Sequence, residues 1–228
     1  MTFRYPSVAI VALFFKSVIG LLFIALFSIT SYAGAADTSD TKNAYIADSP
    51  EQVRPVFVGQ ALPDAILVGL DGKKVSLSEL VDSSPSLIIV YRGGWCPYCN
   101  NHFQDLRKIL PTYSKKGLKI IALSPDSPES LKETDQDYGS VYQLYSDSDM
   151  QAAKALGLAY KVSASTNAML KSYDIDLKQA SGKDHGLLPV PAVFVVNREG
   201  DISFSFVSPE YKVRASNAVV AAAIEEVL

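Results

Sequence analysis

Cysteine is scarce in this chain: Cys96 and Cys99 are the only two among 228 residues. No framework of disulfides can therefore hold the fold, which must rest on an apolar core. Histidine is as scarce, with only His102 and His185. A zinc site built on the two cysteines would need both of them as its remaining ligands. Long basic runs are missing and the formal net charge is −3, which excludes nucleic acid as an expected partner. Internal repeats and low-complexity arrays are missing too, so solenoid and propeller architectures are set aside. What remains, at 48% hydrophobic and 20% charged residues, is enough for one sizeable α/β core.

The beginning of the chain reads as an export signal. Arg4 and Lys16 are its only charges before Asp37, Ser17 to Thr30 is apolar, and Ala33-Gly34-Ala35 suits cleavage. Residues 1–35 are thus expected to be a signal peptide. Its removal would leave 19 basic and 24 acidic residues, 21 − 2 against 24, for a net charge of −5. The competing reading is an uncleaved anchor, because Val8 to Thr30 is broken only by Lys16 and nearly spans a bilayer. Either reading places the domain outside the cytoplasm, in the periplasm or an equivalent compartment, with a possible membrane tether in the second. Residues 36–55 are polar and read as a weakly ordered linker, leaving 56–228 as the folded domain.

The chemistry concentrates at Tyr91-Arg92-Gly93-Gly94-Trp95-Cys96-Pro97-Tyr98-Cys99. Leu87 to Tyr91 is a short β-branched apolar run, expected as a buried strand. Phe103, Leu106, Ile109, Leu110 and Tyr113 then recur at helical spacing. The pair sits where strand gives way to helix. Free N–H groups there stabilise an anion, so Cys96 should ionise below the ordinary thiol pKa of about 8.5. Cys99 lies one turn on, within reach of a sulfur carried by Cys96. Pro97 suits the first helical turn, where its missing N–H has no partner to lose. A C-x-x-C pair in a βαβ context is a redox signal. A metal site lacks ligands, and a structural bridge closing so short a loop removes little chain entropy.

Around this stretch, Ala65 to Val68 and Lys73 to Leu77 are expected as a hairpin turning at Asp71-Gly72. Ser76-Leu77-Ser78-Glu79 has the form of a capping box. Pro111 should kink the cysteine helix. Further strands are expected at Leu118 to Leu123, Tyr142 to Tyr145, Ala192 to Val196 and Ile202 to Val207. Helices are expected after Ser127, from Ser148 to Leu156 and from Ala215 to Leu228, with Ser127 as a cap and Pro128 behind it. Ala168 to Leu177 reads as helix and Lys178 to Gly186 as loop. The pattern predicts an α/β fold with a mixed central sheet and helices on both faces. Asp126 and Asp149 read as capping residues, His102 as a solvated helix histidine, and His185 as part of a polar loop.

From Pro63 to Leu228 these landmarks resemble the thioredoxin-fold superfamily. They are most similar to the alkyl hydroperoxide reductase/thiol-specific antioxidant group, in its peroxiredoxin-like branch carrying Arg-Gly-Gly-Trp-Cys-Pro-Tyr-Cys. The resemblance implies a thioredoxin-like three-layer fold with an N-terminal β-hairpin extension. It implies Cys96 as nucleophile and Cys99 as resolving cysteine, with Trp95, Pro97, Arg92 and Pro191 as supporting residues. Pro191 matches the cis-proline that faces the pair in such proteins. No organic cofactor or metal is implied, and an external dithiol such as a thioredoxin-like protein would reset the pair.

Two positions depart from the peroxiredoxin pattern. Gly93 stands where a Thr or Ser is typical, and Ser203 where an Arg is typical, leaving Arg92 as the candidate cation. The Trp95-Cys96 pairing resembles thioredoxin-like disulfide exchangers, and Cys-Pro-Tyr-Cys resembles glutaredoxins. The expected function is peroxide reduction. The alternative is exchange with protein disulfides, and a third reading is copper binding by Cys96, Cys99 and His185, as in thioredoxin-fold copper-delivery proteins.

Overall fold

The computed structural model describes residues 45–228. The predicted export signal and the first part of the predicted linker lie outside these residues. Among the described residues the main sheet has seven strands, in the order β2-β1-β5-β4-β3-β8-β9. These are β1 (Ile66–Val68), β2 (Lys74–Ser76), β3 (Ser86–Val90), β4 (Lys119–Ser124), β5 (Gln143–Ser146), β8 (Ala192–Val196) and β9 (Ile202–Val207). β3, β4 and β5 run parallel, β8 lies antiparallel to β3, and β9 antiparallel to β8. The hairpin β1–β2 joins the opposite edge through β5.

The central strand β3 is buried along its whole length, which is why its sequence is continuously apolar rather than alternating. Side chains still alternate between faces. Leu87, Ile89 and Tyr91 face α2 (Pro97–Leu106), α3 (Leu110–Ser114), α4 (Pro128–Tyr138) and α8 (Asn217–Glu225). Ile88 and Val90 face α1 (Leu77–Val81) and α5 (Gln151–Ala155). Two cores on two faces of one mixed sheet make the expected three layers.

The local signals act as their chemistry requires. Ser76 accepts from the Glu79 N–H while Glu79 reaches back to the Ser76 N–H, closing the capping box. Pro111 does more than kink the cysteine helix: the helix ends at Leu106, and Pro111 opens the separate α3. Ser127 caps α4 through the Ser130 N–H.

Three regions differ from expectation. The predicted linker is not loose from residue 45 onward. Ala47 is fully buried, bridges Tyr160, and is followed by a 3-10 turn at Pro50–Gln52. Ile46 and Val53 pack beside it, in a segment too short to show a periodic apolar pattern. Between residues 157 and 186 the chain builds β6 (Ala159–Lys161), which pairs with β7 (Leu187–Pro189) in a second small sheet. Helix α6 (Ala164–Ser172) begins before the predicted span, capped by Ser163, and α7 (Leu177–Ser181) occupies the predicted loop, capped by Asp176. Lastly, no described peptide bond is cis, so the expectation of a cis Val190–Pro191 bond is corrected. The Val190 N–H bonds Leu158 and the Pro191 carbonyl accepts from Ser208, so the chain passes extended from β7 into β8. No helix among the described residues is long and apolar enough to cross a membrane.

Candidate active site

Strand β3 delivers Tyr91 and Arg92 to the edge of the core, and the chain turns through Gly93 and Gly94 into α2. Gly93 has φ 145°, and a Cβ there would collide with the Trp95 indole and come within 2.8 Å of Asp126 Oδ1. The hydroxyl residue typical of peroxiredoxins is excluded at this position because Trp95 and Asp126 fill its space. A Cβ on Gly94 would collide with Thr134 Oγ1, so this glycine lets the backbone approach α4 closely.

Cys96 is the N-cap of α2 and Pro97 its first residue. The Cys96 carbonyl accepts from the Cys99 and Asn100 N–H groups at 3.0 and 3.1 Å. Both cysteines are free thiols and nearly inaccessible, at 1% exposure each. Their sulfurs titrate as a pair in opposite senses. The Cys99 thiol, donating to Cys96, pulls the Cys96 pKa down to about 6, with help from the Cys99 N–H and the charges of Arg92 and Arg214, against burial. Burial first, and then its bond to Cys96, push Cys99 well up.

Two arginines serve the two sulfurs. Arg92 is 3% exposed, and its guanidinium lies 5.1 Å from the Trp95 ring and 4.3 Å from the Tyr211 ring. Aromatic faces hold the charge where water is excluded. Arg214 comes from the loop before α8 and donates from Nη2 to Cys99 Sγ at 3.4 Å. Arg214 had no sequence signal: it lies 115 residues beyond Cys99 and belongs to no motif. Pro191 is buried and lines the same small space as Cys99, His102 and Arg214.

Three other residues behave differently from their sequence reading. Asp126 is not a cap. It is 2% exposed, and its Oδ2 accepts from the Gly94 N–H at 2.7 Å. Oδ1 lies beside the Trp95 indole, and the Ser124 and Trp95 side chains join the Gly94 N–H in favouring its charged form. Burial pushes its pKa up to about 6, and the Cys96 charge adds to the rise. Asp149 is not a cap either: it pairs with Lys183, while Asp147 accepts from Ala152 and Ala153 at the start of α5. His102 is buried, not solvated; Nε2 meets the Ala215 carbonyl at 3.2 Å, and burial lowers its pKa to about 4. Its neighbour on the sequence, Cys99, gave no hint that a loop from the end of the chain covers this helix face.

His185 has both ring nitrogens engaged, with the Leu187 N–H on Nδ1 and the Ser148 carbonyl on Nε2. Neither is free for a metal alongside the cysteines. Among the described residues no three Cys, His, Asp or Glu side chains converge as a metal site.

A thioredoxin-like sheet with a low-pKa cysteine at a helix start and a high-pKa partner one turn on defines a thiol-dependent oxidoreductase. The family is equally plain: residues 58–205 match the model of the AhpC/TSA family, and the chain belongs to it. The thiol-disulfide oxidoreductase ResA of Bacillus anthracis is 24% identical over 68% of this chain and 72% of its own length. Rv2521 of Mycobacterium tuberculosis, assigned as a peroxiredoxin, is 29% identical over 75% of this chain and 90% of its own. The crystal structure of a peroxiredoxin-like protein from Aquifex aeolicus matches with TM-score 0.58 at 20% identity, covering 77% of this chain and 90% of that one. Reduced Prx3 of Vibrio vulnificus, solved with hydrogen peroxide, gives TM-score 0.59 at 18% identity, covering 74% and 99%.

Proposed function

We propose that Cys96 and Cys99 form a dithiol centre that reduces peroxides. The observation that carries this reading is the opposed titration of the two thiols: Cys96 is poised as a thiolate near neutral pH while Cys99 keeps its proton. The Cys96 thiolate attacks the peroxide O–O bond. One oxygen stays on sulfur as sulfenic acid, and the other leaves as alcohol or water after taking a proton. Cys99 then attacks the Cys96 sulfur, a disulfide forms, and the sulfenic oxygen leaves as water carrying the Cys99 proton. An external dithiol returns two electrons and two protons. Arg92 stabilises the attacking thiolate, and Arg214 stabilises Cys99 as it loses its proton.

Gly93 favours a second reading. With Trp95 and Asp126 in the place of the usual hydroxyl, no Thr or Ser orients a peroxide at that position. The same two thiols would then exchange with protein disulfides, Cys96 attacking sulfur instead of oxygen. The apolar leader and Ala33-Gly34-Ala35 support an exported, periplasmic setting for either chemistry.

Rapid mixing of the reduced protein with hydrogen peroxide, followed by Trp95 fluorescence, tests the first reading. Fast oxidation lost in Cys96→Ser, and arrested before disulfide formation in Cys99→Ser, is the expected result. Oxidation no faster than that of a free thiol would sink it, and rapid reaction with a small disulfide would leave the second reading standing.

A further inference from the structure

Gly93 leaves the peroxide reading short of one group, a hydroxyl beside the reacting oxygens. The small sheet β6–β7 brings one from elsewhere in the chain. In β6, Ala159 packs with Met150 and Leu187, while Tyr160 turns to the opposite side and packs with Ala47, Leu188 and Val190. Trp95, the neighbour of Cys96, packs against that same cluster. Packing accounts for the Tyr160 ring, which is 7% exposed, but not for the hydroxyl at its tip. Tyr160 and Arg92 share the wall of a cavity of about 590 Å³, bounded by the turn at Pro50, the start of α6 and Tyr211. Arg92 is the hydrogen-bond partner of the Tyr160 hydroxyl among the described residues. A guanidinium can only donate, so the Tyr160 oxygen accepts and its own proton remains to be given. Both groups lie within charge range of the sulfur: the Arg92 charge acts on Cys96, and the Cys96 charge acts on Tyr160.

We propose that Tyr160 is a catalytic residue of the peroxide step, supplying from this cavity the hydroxyl that Gly93 cannot carry. The inference rests on the peroxide reading of the Cys96/Cys99 pair. The peroxide enters by the cavity, and Tyr160 donates a hydrogen bond to its departing oxygen. The Cys96 thiolate attacks the other oxygen, the O–O bond breaks, and sulfenic acid forms on sulfur. The charge that the thiolate brought leaves on the departing oxygen, which takes its proton from water. Tyr160 keeps its own proton throughout. Burial pushes the Tyr160 pKa up, the Arg92 charge and hydrogen bond hold it back, and the Cys96 charge adds to the rise. A raised pKa suits a group that must donate a hydrogen bond without ionising. The donor is fixed before the peroxide arrives, because the ring is packed and the oxygen is already held by Arg92.

The experiment compares two reactions of the same thiolate, in the reduced full-length protein at about pH 8, where the Cys96 thiolate is formed. Oxidation by hydrogen peroxide has a departing oxygen to hold. Alkylation by iodoacetamide expels iodide, which needs no hydroxyl. Tyr160→Phe keeps the packed ring and removes the donor. It should slow oxidation by about a hundredfold, the usual cost of losing one such donor. It should change alkylation by less than about twofold, since the thiolate itself is retained. Placing p-aminophenylalanine at position 160 keeps an N–H donor on the same ring and should restore most of the oxidation rate. Oxidation of Tyr160→Phe at the native rate overturns the inference. An equal loss in both reactions also overturns it, because Tyr160 would then act only through the thiolate. So does a p-aminophenylalanine protein that is oxidised no faster than Tyr160→Phe. If the native protein is itself oxidised no faster than a free thiol, the peroxide reading fails first and the inference falls with it.

Discussion

The two ends of the Cys96-to-Cys99 turn are built by different means. Around Cys96 most determinants are local: the end of β3, the two glycines, Trp95 and the first turn of α2 lie within a few residues, and only the charge of Arg214 and the Tyr211 ring on Arg92 come from afar. Around Cys99 they are remote: Arg214, the Ala215 carbonyl on His102, and Pro191 arrive from the last part of the chain. The local end yields a thiolate; the remote end yields a protonated thiol in a covered, dry place. A helix start can lower a pKa from sequence alone, but desolvation needs neighbours, and only the fold supplies them.

The largest expected effect breaks the local end. Gly93→Thr restores the hydroxyl typical of peroxiredoxins but places it in space held by Trp95 and Asp126, at a backbone angle that side chains rarely adopt. It should destabilise the protein by about 1–3 kcal/mol, read as a lower denaturant midpoint, and should move Trp95 fluorescence. An unchanged midpoint would mean that the turn can relax and that the site has room for the usual hydroxyl.

Removing the two arginines one at a time sharpens the comparison. Arg92→Met should slow the first oxidation at neutral pH by up to about tenfold, by raising the Cys96 pKa. Arg214→Met should mainly slow disulfide closure, seen as accumulated sulfenic acid trapped by dimedone. Equal effects of both changes on the first step would erase the division of labour between them.

A smaller effect concerns pH. Cys96-dependent oxidation should rise through about pH 6 to a plateau, as the thiolate forms. Asp126→Asn removes a negative charge that disfavours that thiolate, so the midpoint should move down, in both rate and thiolate absorbance. An upward movement would mean that Asp126 acts chiefly by holding Gly94 and the turn in place.

The smallest effect is on stability. His102 is held neutral by burial, with its pKa lowered to about 4 from an ordinary value near 6.5. The folded form then binds fewer protons than the unfolded one between these values. The stability tied to neutral His102 is therefore present above pH 6.5 and lost as pH falls through about 4. Asp126 and Asp147, whose pKa values are raised, slope the other way, so the test is the difference between His102→Gln and the native chain. The variant should show a flatter fall in denaturant midpoint over this window. An identical fall would mean that His102 titrates as an exposed residue.

What could be read beforehand follows the range of the forces involved. β8 falls on the predicted Ala192 to Val196 because a continuous β-branched run buried on both faces has few other places to go. The capping boundaries at Ser76 and Ser127 were legible because a cap and its N–H lie three residues apart. The stretch from 157 to 186 was not, because β6 and β7 gain their hydrogen bonds from each other across more than 25 residues. Ala47 illustrates the same limit: the apolar stretch Ala44-Tyr45-Ile46-Ala47 is too short to show a period, yet Ala47 is buried against Tyr160, Leu188 and Val190.

The sequence by itself determined the candidate redox centre: two cysteines one turn apart, an apolar strand feeding them, a proline in the first helical turn, and glycines where no side chain fits. Those are short-range facts of backbone geometry and helix-end electrostatics. The tertiary structure alone decided which arginine meets Cys99, that His102 is buried, and that Asp126 is buried against the Gly94 N–H. Each of these depends on desolvation or on a meeting of distant segments, and neither is written into local spacing.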